Sequence, residues 1–152
     1  MFGLRVVGRQ KMDYYSIRLC DGYENMDFAR VTQMLSRAGW SPGIGEEEVR
    51  QGARYSALVV GAFCGDLQVG YARAVSDRTR FAYIADVYVD EDLRRRGIAQ
   101  SMMAYLLSHD SLKDVYQWVL RSAADELYEK MGFVPLSEPG KWREIWNKRL
   151  ER

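Results

Sequence analysis

Histidine and cysteine are scarce in this chain, which contains one histidine, His109, and two cysteines, Cys20 and Cys64. Four cysteine or histidine ligands for a structural zinc ion are therefore not available. A serine or cysteine nucleophile would have a single histidine to serve as its base. The cysteines lie far apart and form no C-x-x-C motif. Thiols in a reducing compartment, and hence a cytoplasmic location, are expected.

Net charge and long hydrophobic runs are also lacking. The chain has 22 lysines and arginines against 21 aspartates and glutamates, so its overall charge does not indicate a nucleic-acid partner. No segment approaches the ~20 consecutive apolar residues that a membrane span needs, and no membrane association is expected. The length of 152 residues is typical of one globular domain. We expect a flexible leader over residues 1–12, with Met1 or Met12 as the true start, and one domain over residues 13–152.

Hydrophobic periodicity predicts a mixture of strands and helices. Strands are predicted at residues 14–19, 56–63, 67–75, 81–89, 115–120, 133–136 and 142–147. Helices are predicted at residues 26–38, 46–52, 96–108 and 123–131. Short turns join the second, third and fourth strands, which implies an antiparallel meander. This order is typical of an α/β fold with a mixed, mostly antiparallel sheet of six to seven strands and helices on both faces.

The segment 83–103 is the most informative part of the chain. In it a strand runs into an acidic turn and then into Arg94–Arg96 and Gly97, which open an amphipathic helix. The first turn of a helix has unpaired N–H groups and partial positive charge, so it favours a phosphate. Gly97 lets a ligand approach the backbone closely. Arginines where the helix dipole alone would favour acids predict an anionic ligand; a solvated turn paired with the acidic residues 90–92 is the alternative.

Two short motifs stand out in the chain. The first is formed by Arg94, Gly97 and Ala99, and the second is LYEKMGF at residues 127–133. Together they resemble the signatures of the GNAT family of N-acetyltransferases. The first family signature is glutamine or arginine, glycine three positions later, and glycine or alanine two positions after that, and the second is L-Y-x-x-x-G-F. The resemblance covers roughly residues 14–148. It implies the acyl-CoA N-acyltransferase fold, in which a parallel pair of strands splays apart, and a small single-domain member.

The same resemblance implies acetyl-CoA as co-substrate and no metal. Backbone N–H groups of residues 95–100 would bind the pyrophosphate, with charge added by the Arg94 side chain. Val87 and Val89 would pair with the pantetheine arm, and the N–H near Val87 would donate to the thioester carbonyl. The expected cofactor-binding residues are Val87, Tyr88, Val89, Arg94, Arg95, Arg96, Gly97, Ile98, Ala99, Gln100 and Ser101.

Candidate catalytic residues follow from the same comparison. Tyr128 is expected to be the general acid, because a phenol of reference pKa about 10 can give a proton to the leaving thiolate; packing on the sheet is its alternative role. Members that act on polyamines carry a glutamate where this chain has Ala85, which leaves Asp86 as candidate base or as a structural hydrogen-bonding residue. Strand alternation predicts that Asp86 lies on the face opposite Ala85. The acceptor is expected to contact Trp40, Tyr83 and Ser122.

The expected function is direct transfer of acetyl from acetyl-CoA to a primary amine, with a small molecule as the favoured acceptor. A protein acceptor, through a lysine or an N-terminal amine, is one alternative. The missing glutamate at Ala85 favours another, a non-catalytic module that binds or senses acyl-CoA. A general α/β interaction domain would require both motifs to be accidental. No nucleic-acid or membrane partner is expected, and a homodimer is left open.

Overall fold

Five strands form one sheet in the computed structural model, which describes residues 16–147. The strands are β1 (Ile17–Asp21), β2 (Leu58–Cys64), β3 (Leu67–Ser76), β4 (Phe81–Val89) and β5 (Gln117–Leu120). They lie in sequence order across the sheet. Neighbours from β1 to β4 are antiparallel, whereas β4 and β5 are parallel. The predicted mostly antiparallel sheet with one parallel pair is confirmed.

Helices cover both faces of the sheet. Within the described residues they are α1 (Phe28–Ser36), α2 (Glu46–Arg54), α3 (Ile98–Ser108) and α4 (Asp125–Glu129). One face is packed by α1 and α2 through a buried cluster that includes Met34 and Tyr71. The other is packed by α3, whose Met102 and Leu106 are fully buried. Burial of these apolar stripes against the sheet is the main stabilising contribution to the helices.

The helix ends follow local backbone chemistry. Asp27 caps α1 by accepting a hydrogen bond from the Arg30 N–H at 3.1 Å. Gly97 has a φ of 80°, so α3 begins after it and not at residue 96 as predicted. The second helix continues past the expected stop at Gly52 and ends at Arg54. Gly52 packs under Arg73, whose guanidinium carbon lies 3.4 Å from where a Cβ would be. A larger residue at this position would be crowded.

Several other predicted ends differ from the observed ones. The segments 14–19, 56–63 and 115–120 correspond to β1, β2 and β5 with shifted ends, and the segments 26–38 and 123–131 are longer than α1 and α4. The late start of α4 has a clear cause. The Ser122 side chain accepts a hydrogen bond from the Ala124 N–H at 2.9 Å. This bond holds the residues before α4 in a turn.

The two strands predicted at residues 133–136 and 142–147 do not form in the described chain, so the sheet has five strands and not six to seven. Pro135 has no N–H to give to a neighbouring strand. Pro139–Lys141 form a short 3-10 turn that interrupts the segment. The large side chains that follow, including Trp146, stay exposed. As a result β5 lies at the edge of the sheet.

The expected leader over residues 1–12 lies outside the described residues. Cys20 and Cys64 remain thiols. None of the helices between residues 16 and 147 has the length and apolar character needed to cross a membrane.

Candidate active site

A β-bulge in β4 shapes the centre of the candidate site. On β3, Tyr71 and Arg73 are separated by one residue, but their partners on β4, Tyr88 and Ala85, are separated by two. The extra length contains Asp86, whose φ of 56° lies in the left-handed region that is uncommon for residues other than glycine. A bulge of this kind bends the strand and redirects its side chains.

The bulge brings Asp86 to the same face as Ala85. Arg73 pairs across the strands with Ala85 and so shares its face. The Arg73 Nε donates to Asp86 Oδ2 at 2.6 Å, and the Trp40 Nε1 donates to Asp86 Oδ1 at 3.3 Å. The predicted placement of Asp86 opposite Ala85 is therefore wrong, because regular alternation is interrupted at a bulge. Both oxygens of this carboxylate have protein donors.

Arg73 is a site residue that the sequence alone did not single out. Its Nη1 also donates to the Ser56 Oγ at 3.2 Å and to the Gly52 carbonyl at 3.4 Å, which ties β3 to α2. The Arg73 and Asp86 side chains are 21% and 17% exposed, so water screens the pair only in part. One feature of the sequence could have revealed the bulge that places Asp86 beside Arg73. The apolar residues of β4 that pack toward α3 are Ile84, Val87 and Val89, so their positions change from even to odd numbers, as a bulge requires.

A buried phenol lies within electrostatic reach of this ion pair. Tyr71 is fully buried, and its hydroxyl has no hydrogen-bond partner among the described residues. Burial raises the pKa of Tyr71 far above its usual range, while the charges of Arg73 and Asp86 act on this pKa in opposite directions. The phenol is therefore neutral at any physiological pH.

Beyond its bulge, β4 has an edge that β5 does not cover. The pairing of the two strands ends at Ile84 and Leu120. β5 stops there, whereas β4 continues to Val89, so the edge of β4 after Ile84 is not paired with β5; the splayed pair stays a prediction. An uncovered strand edge offers N–H and C=O groups to an extended ligand. The expected cofactor residues Val87, Tyr88 and Val89 lie on this stretch.

The turn before α3 presents backbone N–H groups that lack partners. Arg95 and Gly97 have φ values of 64° and 80°, which curve the chain into a concave loop. No side chain of the described residues caps α3, and Ser101 is the first residue of its opening turn whose N–H bonds within it, to the Gly97 carbonyl at 3.0 Å. The N–H groups of residues 98–100 are therefore available to an anion.

Arg94 links this turn to β4. Its Nε donates to the Val89 carbonyl at 3.0 Å, and its guanidinium carbon lies 5.1 Å from the centre of the Tyr88 ring. These contacts fix the side chain against the protein. The Val89 carbonyl, expected to pair with pantetheine, thus already has one protein donor. Arg94 stabilises the turn that holds the free N–H groups.

Tyr128 lies on α4, the helix that faces the start of α3 across a cleft. The cleft has a volume of about 570 Å³ and is lined by Gln100, Lys130 and residues 123–127; the Tyr128 side chain packs behind this lining, against the buried cluster under α3. The Tyr128 ring packs edge-on against Phe133, with centres 6.1 Å apart. Burial raises the pKa of Tyr128, and a hydrogen bond with the Ser122 side chain partly offsets the rise. The hydroxyl keeps its proton at neutral pH.

The structure separates the three expected acceptor contacts into two groups. Ser122 lies beside Tyr128 through the hydrogen bond just described. Trp40 is joined to Asp86, and 61% of its surface is exposed. Tyr83 lies on β4 before the bulge and is 38% exposed. Trp40 and Tyr83 thus lie beside the bulge, whereas Ser122 lies beside Tyr128.

The strands and helices that form this site match a known protein family. The family model of the acetyltransferase (GNAT) domain matches residues 55–135, more than half of the chain. The chain belongs to the GNAT acetyltransferase family. The matched range includes the bulge of β4, the turn before α3 and Tyr128. No curated protein matches the chain.

Solved structures of other GNAT proteins have the same fold. A candidate GNAT-family acetyltransferase from Xanthomonas campestris pv. campestris is 28% identical, with a TM-score of 0.82 over 89% of this chain and 96% of that one. A GNAT-family acetyltransferase from Streptococcus pneumoniae is 27% identical, with a TM-score of 0.70 over 88% and 99% of the two chains. A predicted acetyltransferase from Clostridium acetobutylicum, solved with acetyl-CoA, is 16% identical, with a TM-score of 0.67 over 90% and 100%; this likeness shows the fold alone.

Between residues 16 and 147, no group of three histidine, cysteine, aspartate or glutamate side chains is arranged to hold a metal ion.

Proposed function

We propose that this GNAT protein transfers the acetyl group of acetyl-CoA directly to a primary amine of a small molecule. One observation carries the proposal. The partnerless N–H groups at the start of α3 and the phenol of Tyr128 belong to the two helices that flank one cleft. Acetyl-CoA would supply the activated acyl group as a thioester. The residues present fit an anionic, extended ligand of this kind.

The start of α3 is proposed to hold the pyrophosphate. Residues 98–100 would donate their N–H groups to phosphate oxygens, and the helix dipole would add partial positive charge. Gly97 makes this possible, because its φ of 80° is strained for any residue with a Cβ. Arg95 and Arg96 would contribute positive charge at the same turn. Arg94 would keep the turn attached to β4 through the Val89 carbonyl.

The uncovered edge of β4 is proposed to hold the reacting end of the ligand. The Val87 N–H would donate to the thioester oxygen as negative charge develops there, which lowers the barrier for attack. Tyr128 would donate its proton to the sulfur as the C–S bond breaks. Its raised pKa keeps that proton available at physiological pH. Ser122 would orient the hydroxyl.

Asp86 is proposed to position its neighbours and not to act as the base. The carboxylate accepts from Arg73 and from Trp40, so a proton taken from the amine would have to compete with two existing donors. The amine would therefore react from its neutral form and give one of its two protons to water, and water would return a proton to the Tyr128 phenolate.

Release of CoA thiol tests the proposal. The protein is mixed with acetyl-CoA and a panel of primary amines, including a lysine peptide, and free thiol is measured over time. Tyr128→Phe should lower the rate strongly with at least one amine. If acetyl-CoA neither raises the melting temperature nor releases thiol with any amine, both binding and transfer are contradicted.

The paired state of Asp86 also favours a second candidate function. A protein with no unpaired carboxylate at this point could bind acyl-CoA without transferring the acyl group. Such a sensing module would show calorimetric binding of acetyl-CoA, no acetylation of any amine, and no effect of Tyr128→Phe on binding. The thiol-release assay distinguishes the two functions.

A further inference from the structure

We infer that the acceptor is a weakly basic aromatic amine, whose nitrogen is attached to a ring and is uncharged when it binds. This inference rests on the proposed function and names its substrate class. It follows from two independent features of the sheet surface beside the β4 bulge: its charge balance and its exposed aromatic side chains. The surface in question is formed by Arg73, Val75, Phe81, Tyr83, Ala85, Asp86, Gln117 and Val119.

The charges on this surface are balanced. It contains one carboxylate, Asp86, and one guanidinium, Arg73, joined at 2.6 Å. The second oxygen of Asp86 accepts from Trp40. A polyamine or lysine acceptor would arrive as an ammonium ion, and such an ion needs an unpaired carboxylate to offset its lost hydration. This surface does not provide one.

Two carboxylates at the start of α2, which follows the loop that carries Trp40, have partners as well. Glu46 accepts a hydrogen bond from Arg50, and Glu47 accepts one from Gln51. These pairs lie on the exposed surface of α2. They leave the balance of charge at the bulge unchanged.

Deprotonation of a strongly basic amine would also find no unpaired carboxylate among the described residues of this surface. An alkylamine with the reference pKa of lysine, about 10.4, is only about one-thousandth neutral at pH 7.4. To accept its proton, Asp86 would have to give up its bond with Arg73 or with Trp40. An amine attached to an aromatic ring is already neutral at this pH, since its nitrogen lone pair is delocalised into the ring. It would react without a protein base.

The exposed aromatic side chains favour a ring on the acceptor. The Trp40 ring is 61% exposed, although it is held by the bond to Asp86 and by edge contact with Tyr88 at 6.5 Å between centres. Tyr83 is 38% exposed and lies on β4 three residues before Asp86. Two exposed aromatic rings therefore flank the bulge.

This aromatic surface is continuous with the proposed acyl site. Asp86 immediately precedes Val87, whose N–H is proposed to hold the thioester oxygen. A ring lying between Trp40 and Tyr83 would therefore bring its amine next to the carbon that is attacked. Aromatic side chains give such contacts both apolar area and preferred stacking geometry.

The test separates ring from basicity with four primary amines. Aniline has a ring and is weakly basic, benzylamine has a ring and is strongly basic, trifluoroethylamine is weakly basic without a ring, and butylamine has neither property. At pH 7.4 the expected kcat/KM is highest for aniline, by at least about tenfold over benzylamine. Between pH 7 and 9 it should rise ~tenfold per pH unit for benzylamine and stay flat for aniline, because only the neutral amine reacts.

Variants test the role of the rings. Trp40→Leu and Tyr83→Leu should each lower kcat/KM for aniline about fivefold or more, on the scale of aromatic contacts, and lower it less for trifluoroethylamine, which has no ring to contact them. Tyr116→Leu is the matched control, because Tyr116 is 92% exposed and lies just before β5. This change should leave kcat/KM for aniline unaltered. Trp40→Leu also removes a donor to Asp86. Tyr83→Leu leaves that hydrogen bond in place, so a loss in both variants reports on the rings.

The outcomes distinguish this inference from the proposed function. Preference for butylamine or benzylamine over aniline, or unchanged aniline kinetics in both leucine variants, overturns the weakly basic aromatic acceptor and leaves acetyl transfer standing. Acetylation of none of the amines, with acetyl-CoA bound, overturns both and supports the sensing module.

Discussion

Replacing Tyr128 by phenylalanine removes one hydroxyl and leaves the packing of the ring intact. The ring contacts Phe133 edge-on at 6.1 Å between centres, and phenylalanine preserves this contact. The loss in stability is then limited to the hydrogen bond with Ser122, about 1 kcal/mol on the scale of neutral protein hydrogen bonds. For a chain of this size that is a drop of about 4 °C in Tm.

The effect on turnover should be far larger. A positioned general acid contributes about 10²- to 10⁴-fold to a rate, equal to roughly 3 to 5 kcal/mol of barrier. Tyr128→Phe is therefore expected to lower kcat by at least about 100-fold, with little change in the Kd of acetyl-CoA. Thiol release at saturating acetyl-CoA measures kcat, and calorimetry measures the Kd.

Two controls separate the acid from the fold. Ser122→Ala removes the same hydrogen bond but keeps the phenol, so it should lower Tm by a similar amount and kcat by less than about tenfold. Tyr116→Phe alters an exposed phenol and should change neither quantity. A Tyr128→Phe protein with kcat within about threefold of the unaltered chain would refute the assignment of Tyr128 as the acid.

Three further predictions concern pH, the ion pair and the core. Burial raises the pKa of Tyr128, and the acid must be protonated to act, so deprotonation of Tyr128 should not lower kcat below about pH 10. A fall in kcat as the pH rises through the neutral range, absent in Tyr128→Phe, would contradict this. Asp86→Ala should lower the free energy of unfolding in urea by about 2 kcal/mol, since Arg73 loses its counterion, and adding Arg73→Met should restore part of the loss; an additive double variant would count against the pair. Leu106→Ala should cost about 3 kcal/mol, because Leu106 is fully buried between α3 and the sheet; an unchanged urea midpoint would contradict that packing.

The fold was largely predictable because its strands and helices carry strong local patterns. β4 was predicted with its observed ends, since its aromatic and β-branched residues are flanked by a polar turn on one side and an acidic turn on the other. The C-terminal strands were predicted from composition alone. Pro135 and the turn at Pro139–Lys141 oppose strand pairing there, and a proline signal of this kind deserves more weight than aromatic content.

The candidate site was predictable where it depends on backbone, and not where it depends on tertiary contacts. Gly97 and the arginines before it mark the α3 turn in the sequence, and the structure gives this glycine the expected left-handed backbone. The Arg73–Asp86 pair depends on a bulge that shifts the register by one residue. Periodicity read as regular alternation assigns every later side chain to the wrong face when such a shift is missed.

Calorimetric titration with CoA tests the central claim, that the turn before α3 binds the cofactor of an acetyltransferase. The chain is expected to bind CoA with measurable heat. Gly97→Ala is expected to bind it about 5- to 30-fold more weakly, because alanine lets the turn relax away from a φ of 80°, and restoring that φ on binding costs about 1 to 2 kcal/mol. No heat of binding with the unaltered chain, or equal Kd values for the two proteins, would contradict the account.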